Sequence, residues 1–143
     1  MDSIVNSYLD SFCSKFNIDK NLSESKKFEY FSIFSILSDE INDNLDKNDL
    51  ELIVLPDGTK GIDGISVTIN DALIFNADEI DNFKDQRFSV SFHFFQVKIS
   101  ESFSDSEVGS FLDTIIDFFS EKPTYNIQIN EYSAYLEIYK RLL

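Results

Sequence analysis

The residues with the clearest chemical potential are Asp63, Gln96 and Lys98. Asp63 lies between two glycines in the sequence Gly-Ile-Asp-Gly-Ile at 61–65, and glycine lets a backbone or a ligand approach closely. Carboxylate and amide oxygens suit a hard cation such as Mg²⁺, and lysine offers a positive charge to an anion. The plain alternatives are a turn aspartate and a solvated Gln–Lys pair on an edge strand.

The strand predicted over residues 88–99 must position Gln96 and Lys98. Its even-numbered residues are apolar up to Phe94, and the apolar residues then become the odd-numbered ones from Phe95 to Ile99. Side chains two apart on a strand point the same way. Gln96 and Lys98 should therefore project together, at a bulge, a sheet edge or the rim of a cleft.

The remaining elements follow from apolar periodicity. Helical spacing predicts helices over 3–16 and about 25–43, followed by a loop through 42–49. The apolar run 50–55 ends at the Pro-Asp-Gly turn of 56–58, whose Asp57 is explained by turn chemistry. A strand is predicted over 62–70, with a short continuation or partner at 73–75, followed by a loop or short helix over 77–87. The next helix starts at the capping-box pair Ser104 and Glu107 and ends near 122. A last helix runs from about 132 to the last residue.

This order predicts an α+β fold, an α/β sandwich in which a mixed sheet of three or more strands with a β-meander is flanked by helices. We expect an N-terminal helix and linker over 1–24, a core over 25–122, and the start of a following helical segment over 123–143. The last helix ends on two leucines without a polar cap, which suggests that the chain is a fragment of a longer protein.

Composition limits the classes of function. The chain has 143 residues, one cysteine, one histidine and four glycines. Cys13 cannot form an internal disulfide, and His-based zinc sites are excluded. No Gly-rich phosphate loop, signal peptide or membrane-length apolar run is present, so a cytoplasmic location is expected. His93 is more typical of a packed sheet residue than of a catalytic base.

The formal net charge of −14 opposes nucleic-acid binding, because phosphate backbones are gripped by Lys and Arg. Two interpretations remain. Either basic surface comes from regions outside this chain, or the natural ligand is not nucleic acid.

Taken together, these residues resemble the metal site of PD-(D/E)xK nucleases, a restriction-endonuclease-like superfamily. Such enzymes place an acid at the start of one strand and an acid-x-Lys pair on the next strand of a meander. Here the acid is Asp63 and the pair is Gln96-Val97-Lys98, with Gln replacing the usual acid. A helical acid before the sheet is also common, and Glu29 is the candidate.

The chain more closely resembles the N-terminal region of the abortive-infection phage-resistance (AIPR) family, over about residues 25–122. The shared motifs are Gly-Ile-Asp-Gly-Ile at 61–65, Phe-Phe-Gln-Val-Lys-Ile-Ser at 94–100, Ser-Phe at 102–103 and Asp-Phe-Phe at 117–119. The resemblance implies a nuclease domain, with DNA the expected substrate, in bacterial defence against phage. An inactive nuclease-like module for phage sensing or protein assembly is the main alternative, and an acidic DNA mimic is a weaker one.

The resemblance also implies roles for single residues. Asp63, the side-chain oxygen of Gln96 and the main-chain oxygen of Val97 would hold Mg²⁺ or Mn²⁺. Lys98 would orient the attacking water or stabilise charge in the transition state. Glu29 would complete the metal shell or be a solvated helix residue. Gln96 is a weaker ligand than Glu, which predicts lower metal affinity or lost activity. The expected partners are nucleic acid and, through an exposed sheet edge, a second copy.

Overall fold

The structure is a computed structural model that describes residues 2–41, 44–100 and 102–143. It contains a three-stranded sheet and helices on both sides of it, so the predicted mixed α+β class is confirmed. The elements are α1 Ser3–Lys15, α2 Glu24–Leu37, α3 Lys47–Ile53, β1 Gly64–Ile69, β2 Ala72–Ile74, a 3₁₀ helix Ala77–Phe83, β3 Val90–Phe95, α4 Asp105–Phe118 and α5 Asn130–Leu142.

The first helical region contains one helix that the sequence pattern did not predict. The prediction of a loop through Asp49 and an apolar run after it was wrong there, because α3 begins at Lys47. Asp46 is its N-cap, and the side chains of Asp46 and Asp49 accept each other's backbone N–H groups at 2.8 and 3.2 Å. An acid at the third position thus closed a capping box that usually carries Glu or Gln. Helix α2 is shorter than predicted, and the predicted loop residues 42 and 43 lie outside the described residues.

All described strand pairs are antiparallel, and the strand order is β2-β1-β3. The predictions of a mixed sheet and of a simple meander were therefore wrong. The physical reason is the long connection through the 3₁₀ helix, which carries the chain past β2 to the free side of β1. The pairing of residues 73–75 with the preceding strand is confirmed for β2, since Leu73 lies opposite Thr68.

The third strand is shorter than predicted. β3 covers Val90–Phe95, and its last pair joins Phe95 to Gly64. Gln96 and Lys98 therefore lie beyond the strand. The prediction that both lie on a strand over 88–99 was wrong. The ladder ends there because the side chain of Asp63, not a backbone carbonyl, accepts the N–H of Val97 at 2.7 Å.

The two faces of the sheet bury different clusters. On one face, the alternating residues Ile65, Val67 and Ile69 of β1 pack with aromatic and aliphatic residues of α4 and α5. On the other face, Phe95 packs with residues of α1, α2 and α3. Alternation along β1 thus fixes its register between two helical layers, and Asp63 lies at the entrance to this buried strand.

Helix α4 begins as predicted. Ser104 accepts the N–H of Glu107 at 3.1 Å, and the Glu107 carboxylate accepts the N–H of Ser104 at 2.9 Å. Residues 123–129, at the start of the segment that was predicted to be helical, form neither strand nor helix. Asp117 at the end of α4 instead accepts the backbone N–H of Thr124 at 2.7 Å. Within the described ranges, no helix is long and apolar enough to cross a membrane.

Candidate functional site

The loop before β1 is fixed to helix α4, and this determines where Asp63 lies. The carbonyl of Lys60 accepts a hydrogen bond from the Thr114 hydroxyl at 2.7 Å. Gly61 has a φ of 88°, and a Cβ there would lie 3.3 Å from the backbone nitrogen of Phe111. A side chain at 61 would be strained in its backbone and crowded against α4. Glycine therefore lets the chain pass close to α4 just before Asp63.

Asp63 itself joins β1 to the segment after β3. Its N–H donates to the carbonyl of Phe95 at 2.7 Å, and its carbonyl accepts the N–H of Leu55 at 2.9 Å. One carboxylate oxygen, Oδ2, accepts the N–H of Val97 at 2.7 Å. The backbone is thus held on both sides, and among the described residues the other carboxylate oxygen accepts no hydrogen bond.

Gln96 and Lys98 both reach Glu107 in the first turn of α4. The amide nitrogen of Gln96 donates to the carbonyl of Glu107 at 3.0 Å, and Lys98 Nζ donates to its carboxylate at 2.6 Å. Because the amide nitrogen of Gln96 donates to this carbonyl, the amide oxygen is the group that can still accept a hydrogen bond or bind a cation. Lys98 is already paired, so its ammonium is not a free charge.

Together these residues border a cleft of about 380 Å³ between the start of β1, the end of β3 and the start of α4. Asp63, Gln96 and Val97 line it, as does Glu107, whereas Lys98 does not. The lining residues are Gly61, Asp63, Gln96, Val97, Phe103, Ser106, Glu107 and Ser110. The structure therefore brings together three predicted site residues in one cleft and attaches the fourth, Lys98, through Glu107.

Glu29 lies on the other side of Asp63 in a small charged cluster. It is 8% exposed, and its carboxylate accepts a hydrogen bond from Lys26 Nζ at 2.9 Å. The same ammonium donates to the carbonyl of Leu55 at 2.9 Å and lies 3.5 Å from Asp57. Glu29 does not line the cleft. Its contacts make it a buried member of an ion pair rather than a residue exposed to a ligand.

Burial raises the pKa values of both Asp63 and Glu29. For Asp63, desolvation is the main cause, and the hydrogen bond from Val97 and the charge of Lys26 oppose it. For Glu29, desolvation is again first, the Lys26 hydrogen bond opposes it, and the charge of Asp63 raises the pKa further. Each carboxyl is thus destabilised as an anion, a condition that a bound cation relieves.

Sequence reasoning missed two residues of this region as site members, Lys26 and Glu107. Glu107 was recognised as a helix cap, but its pairing with Lys98 depends on tertiary packing and has no signal in the local sequence. Hydrogen bonds from Lys98 and Ser104 hold the Glu107 pKa down, at about 2. Lys26, one turn before Glu29 on α2, carried the i, i+3 spacing typical of a helical ion pair.

A divalent cation fits the cleft only with water as most of its shell. The described part of the chain contains no group of three or more His, Cys, Asp or Glu side chains that could hold a metal ion. An Asp63 oxygen, the Gln96 amide oxygen and the Glu107 carboxylate are the oxygen donors on the lining, a set that would suit Mg²⁺ if it keeps several waters. The N–H of Val97 donates to Asp63. Among the described residues, no contact shows that the Val97 carbonyl, the predicted metal ligand, faces the cleft.

Comparisons with known proteins add no relative. No family model, no curated protein and no solved structure matches the chain. The cleft and the residues that border it are therefore the features of this chain that point to a function.

Proposed function

We propose that this chain is a metal-dependent phosphodiesterase, a nuclease domain that cuts DNA. The observation that carries the proposal is the position of Asp63 and Gln96 on one cleft, with Lys98 bonded to Glu107 on its border. A nuclease needs its acid, its amide oxygen and its lysine to converge, whereas an interaction module does not. The AIPR resemblance supplies the biological setting, a bacterial protein that defends against phage by abortive infection.

Asp63 and Gln96 would hold Mg²⁺ or Mn²⁺. A bound divalent ion neutralises phosphate charge and lowers the pKa of a coordinated water. The hydrogen bond from Val97 at 2.7 Å keeps the Asp63 carboxylate oriented toward the cleft. The contact between Gln96 and the Glu107 carbonyl at 3.0 Å occupies the amide nitrogen and keeps the amide oxygen available to a cation.

Lys98 provides the positive charge for the phosphate. Its Nζ lies 2.6 Å from the Glu107 carboxylate, which borders the cleft, so a phosphate oxygen at that border would compete with the carboxylate for the ammonium. The pair is partly exposed, with 31% of the Lys98 side chain accessible. Solvent weakens an ion pair that is this exposed, so exchange of the carboxylate for a phosphate oxygen requires little energy.

The test is cleavage of supercoiled plasmid and of single-stranded DNA with Mg²⁺ or Mn²⁺. We expect metal-dependent nicking that falls by at least about 100-fold, the usual scale for loss of one stabilising group, in Asp63→Asn and in Lys98→Ala. The exposed residues Asp81 and Lys84 provide matched controls, and Asp81→Asn and Lys84→Ala should retain full activity.

Two results would count against the nuclease. One is the absence of cleavage by the folded protein across metals and substrates. The other is cleavage that Asp63→Asn leaves unchanged, since that would assign the activity to another site or to a contaminant.

The second candidate is an inactive nuclease-like module for phage sensing or protein assembly. Two observations favour it: Lys98 is already neutralised by Glu107, and the chain has a formal net charge of −14. Such a module would bind neither metal nor DNA through the cleft, and the variants of Asp63 and Lys98 would leave its partner binding unchanged.

A further inference from the structure

The outer edge of β3 has no strand beside it in the described part of the chain, because the strand order is β2-β1-β3. Ser89 accepts a hydrogen bond from Asn70, opposite it across the ladder, at 3.0 Å. In an antiparallel ladder such pairs recur every second residue. The backbone groups of Val90, Phe92 and Phe94 therefore point outward, toward the open edge.

This edge lacks the usual features that prevent strands from pairing with one another. Residues 90–95 have the sequence Val-Ser-Phe-His-Phe-Phe, without Pro, Gly, Lys, Arg, Asp or Glu. Natural edge strands are commonly protected by charges, proline or bulges. An aromatic strand with none of these is an open template for another strand.

Apolar side chains flank the edge on both layers of the molecule. A groove of about 520 Å³ is lined by Phe94 and Phe95, whose side chains leave opposite faces of the sheet, and by Ile36 of α2 and Leu112 of α4. Only the edge of a sheet can be reached from both layers. Leu112 and Ile36 are each 50% exposed.

Helix α4 continues this surface as an exposed apolar stripe. Val108, Leu112 and Ile116 recur every four residues and so lie on one side of the helix. Ile116 is 69% exposed, whereas Phe118 on the same helix is fully buried. The surface comprises a strand edge with an apolar helix face beside it, and we call it the β3 edge surface.

We propose that the β3 edge surface binds a second copy of this chain, in a two-fold dimer with a continuous six-stranded sheet. A two-fold axis at Phe92 places Val90 opposite Phe94 of the second copy and forms about six inter-chain hydrogen bonds. The same axis sets α4 against α4 and α2 against α2, since a two-fold interface joins identical patches. A single added peptide strand would fill the groove but leave Ile116 uncovered.

The two copies repel each other electrostatically, because each carries a formal net charge of −14. Added salt screens that repulsion and favours the apolar contact. A basic partner such as a Lys-rich peptide would behave in the opposite way, because salt weakens attraction between unlike charges. The sign of the salt effect thus separates self-association from capture of a basic segment.

Sedimentation velocity of the 143-residue chain over roughly 5 to 500 µM tests the dimer. We expect a monomer–dimer equilibrium that strengthens between about 0.1 M and about 1 M NaCl, as the Debye length falls from about 10 to about 3 Å. Ile116→Glu should weaken it at least about tenfold. The matched control is Ile4→Glu, at an isoleucine on α1 that is 67% exposed, which should change the dissociation constant by less than about twofold.

Hydrogen exchange supplies a measurement that needs no variant. The amides of Val90, Phe92 and Phe94 should become more protected as the concentration of the wild-type protein rises. A chain that stays monomeric at every concentration and salt level would overturn the proposal and leave the edge to a strand from another protein. So would a dimer that Ile116→Glu does not weaken. Neither result bears on the nuclease, because none of these residues acts in the cleavage chemistry.

Discussion

At the scale of single residues, Asp63 is a partly buried carboxylate whose burial opposes its negative charge. The carboxylate keeps one hydrogen bond, from Val97 at 2.7 Å, and burial raises its pKa. The nearby Glu29 is also buried, and it feels the charge of Asp63. A structural aspartate at a strand entrance would be expected to have more donors around it.

This conflict predicts that Asp63→Asn stabilises the protein at neutral pH while it removes activity. A raised folded pKa means that the folded state binds more protons than the unfolded chain, so wild-type stability falls as pH rises from below the ordinary value of 3.8 through the folded pKa. Asparagine is neutral at every pH and can still accept the N–H of Val97. The free energy of unfolding should therefore be higher in the variant at pH 7.

Urea unfolding of wild type, Asp63→Asn and the exposed control Asp81→Asn measures the difference. The advantage of Asp63→Asn over wild type should shrink as the pH falls toward 3.8, the ordinary value. Loss of stability at pH 7, relative to the control, would mean that Asp63 serves the fold rather than a ligand.

Sequence reasoning identified Asp63 and Gln96 because their types and flanking residues are local information. It missed the partnership of Lys98 with Glu107, since these residues meet only when α4 packs beside the end of β3. It did not predict the buried ion pair of Glu29 with Lys26, because that pair depends on how α2 packs against the turn after α3.

At the scale of elements, the close contact between α2 and β1 fixes the distance between this helix and the sheet next to Asp63. A Cβ on Gly64 would lie 2.6 Å from Cδ1 of Ile33 and 3.2 Å from the carbonyl of Ile53. The glycine next to Asp63 is therefore required by packing, with α2 on one side and the end of β3 on the other. The same contact holds the buried Glu29 and its helix against the sheet.

Gly64→Ala should destabilise the protein by about 1–3 kcal/mol, the usual cost of overpacking a core. Ile33→Val removes the methyl group that collides, so the double variant should lose less than the sum of the two single losses. Gly109→Ala on α4 is the control, because nothing lies within 4 Å of the added Cβ and the helix should gain about 0.5–1 kcal/mol. Chemical unfolding of the wild type and the four variants measures these differences. If the losses from Gly64→Ala and Ile33→Val simply add in the double variant, the contact is ruled out.

Element boundaries were less predictable than element types. The capping box of α4 has a local sequence signal, and its helix begins where that signal predicts. Helix α3 has only seven residues, too few for a periodic pattern to distinguish it from a strand. The end of β3 was beyond prediction because a side chain, that of Asp63, ends the ladder.

At the scale of the whole molecule, a formal net charge of −14 opposes both DNA binding and self-association. Both proposals therefore predict a salt effect of the same origin, the screening of repulsion by the negative charge of the protein. Screening strengthens a dimer of like charges, and it also reduces the repulsion of DNA from the cleft. Composition gave the charge directly, whereas the strand order and the open β3 edge depend on long-range pairing that the sequence pattern did not specify.

The most direct measurement of the central claim is the location of Mn²⁺ binding by paramagnetic broadening of backbone amide resonances. An acidic protein attracts cations at many surface points, so location matters more than affinity. The account predicts that stoichiometric Mn²⁺ first broadens the amides around Asp63 and Val97, and that Asp63→Asn abolishes this effect while Asp81→Asn preserves it. Broadening spread over the acidic helix faces, unchanged by Asp63→Asn, would contradict a metal site in the cleft.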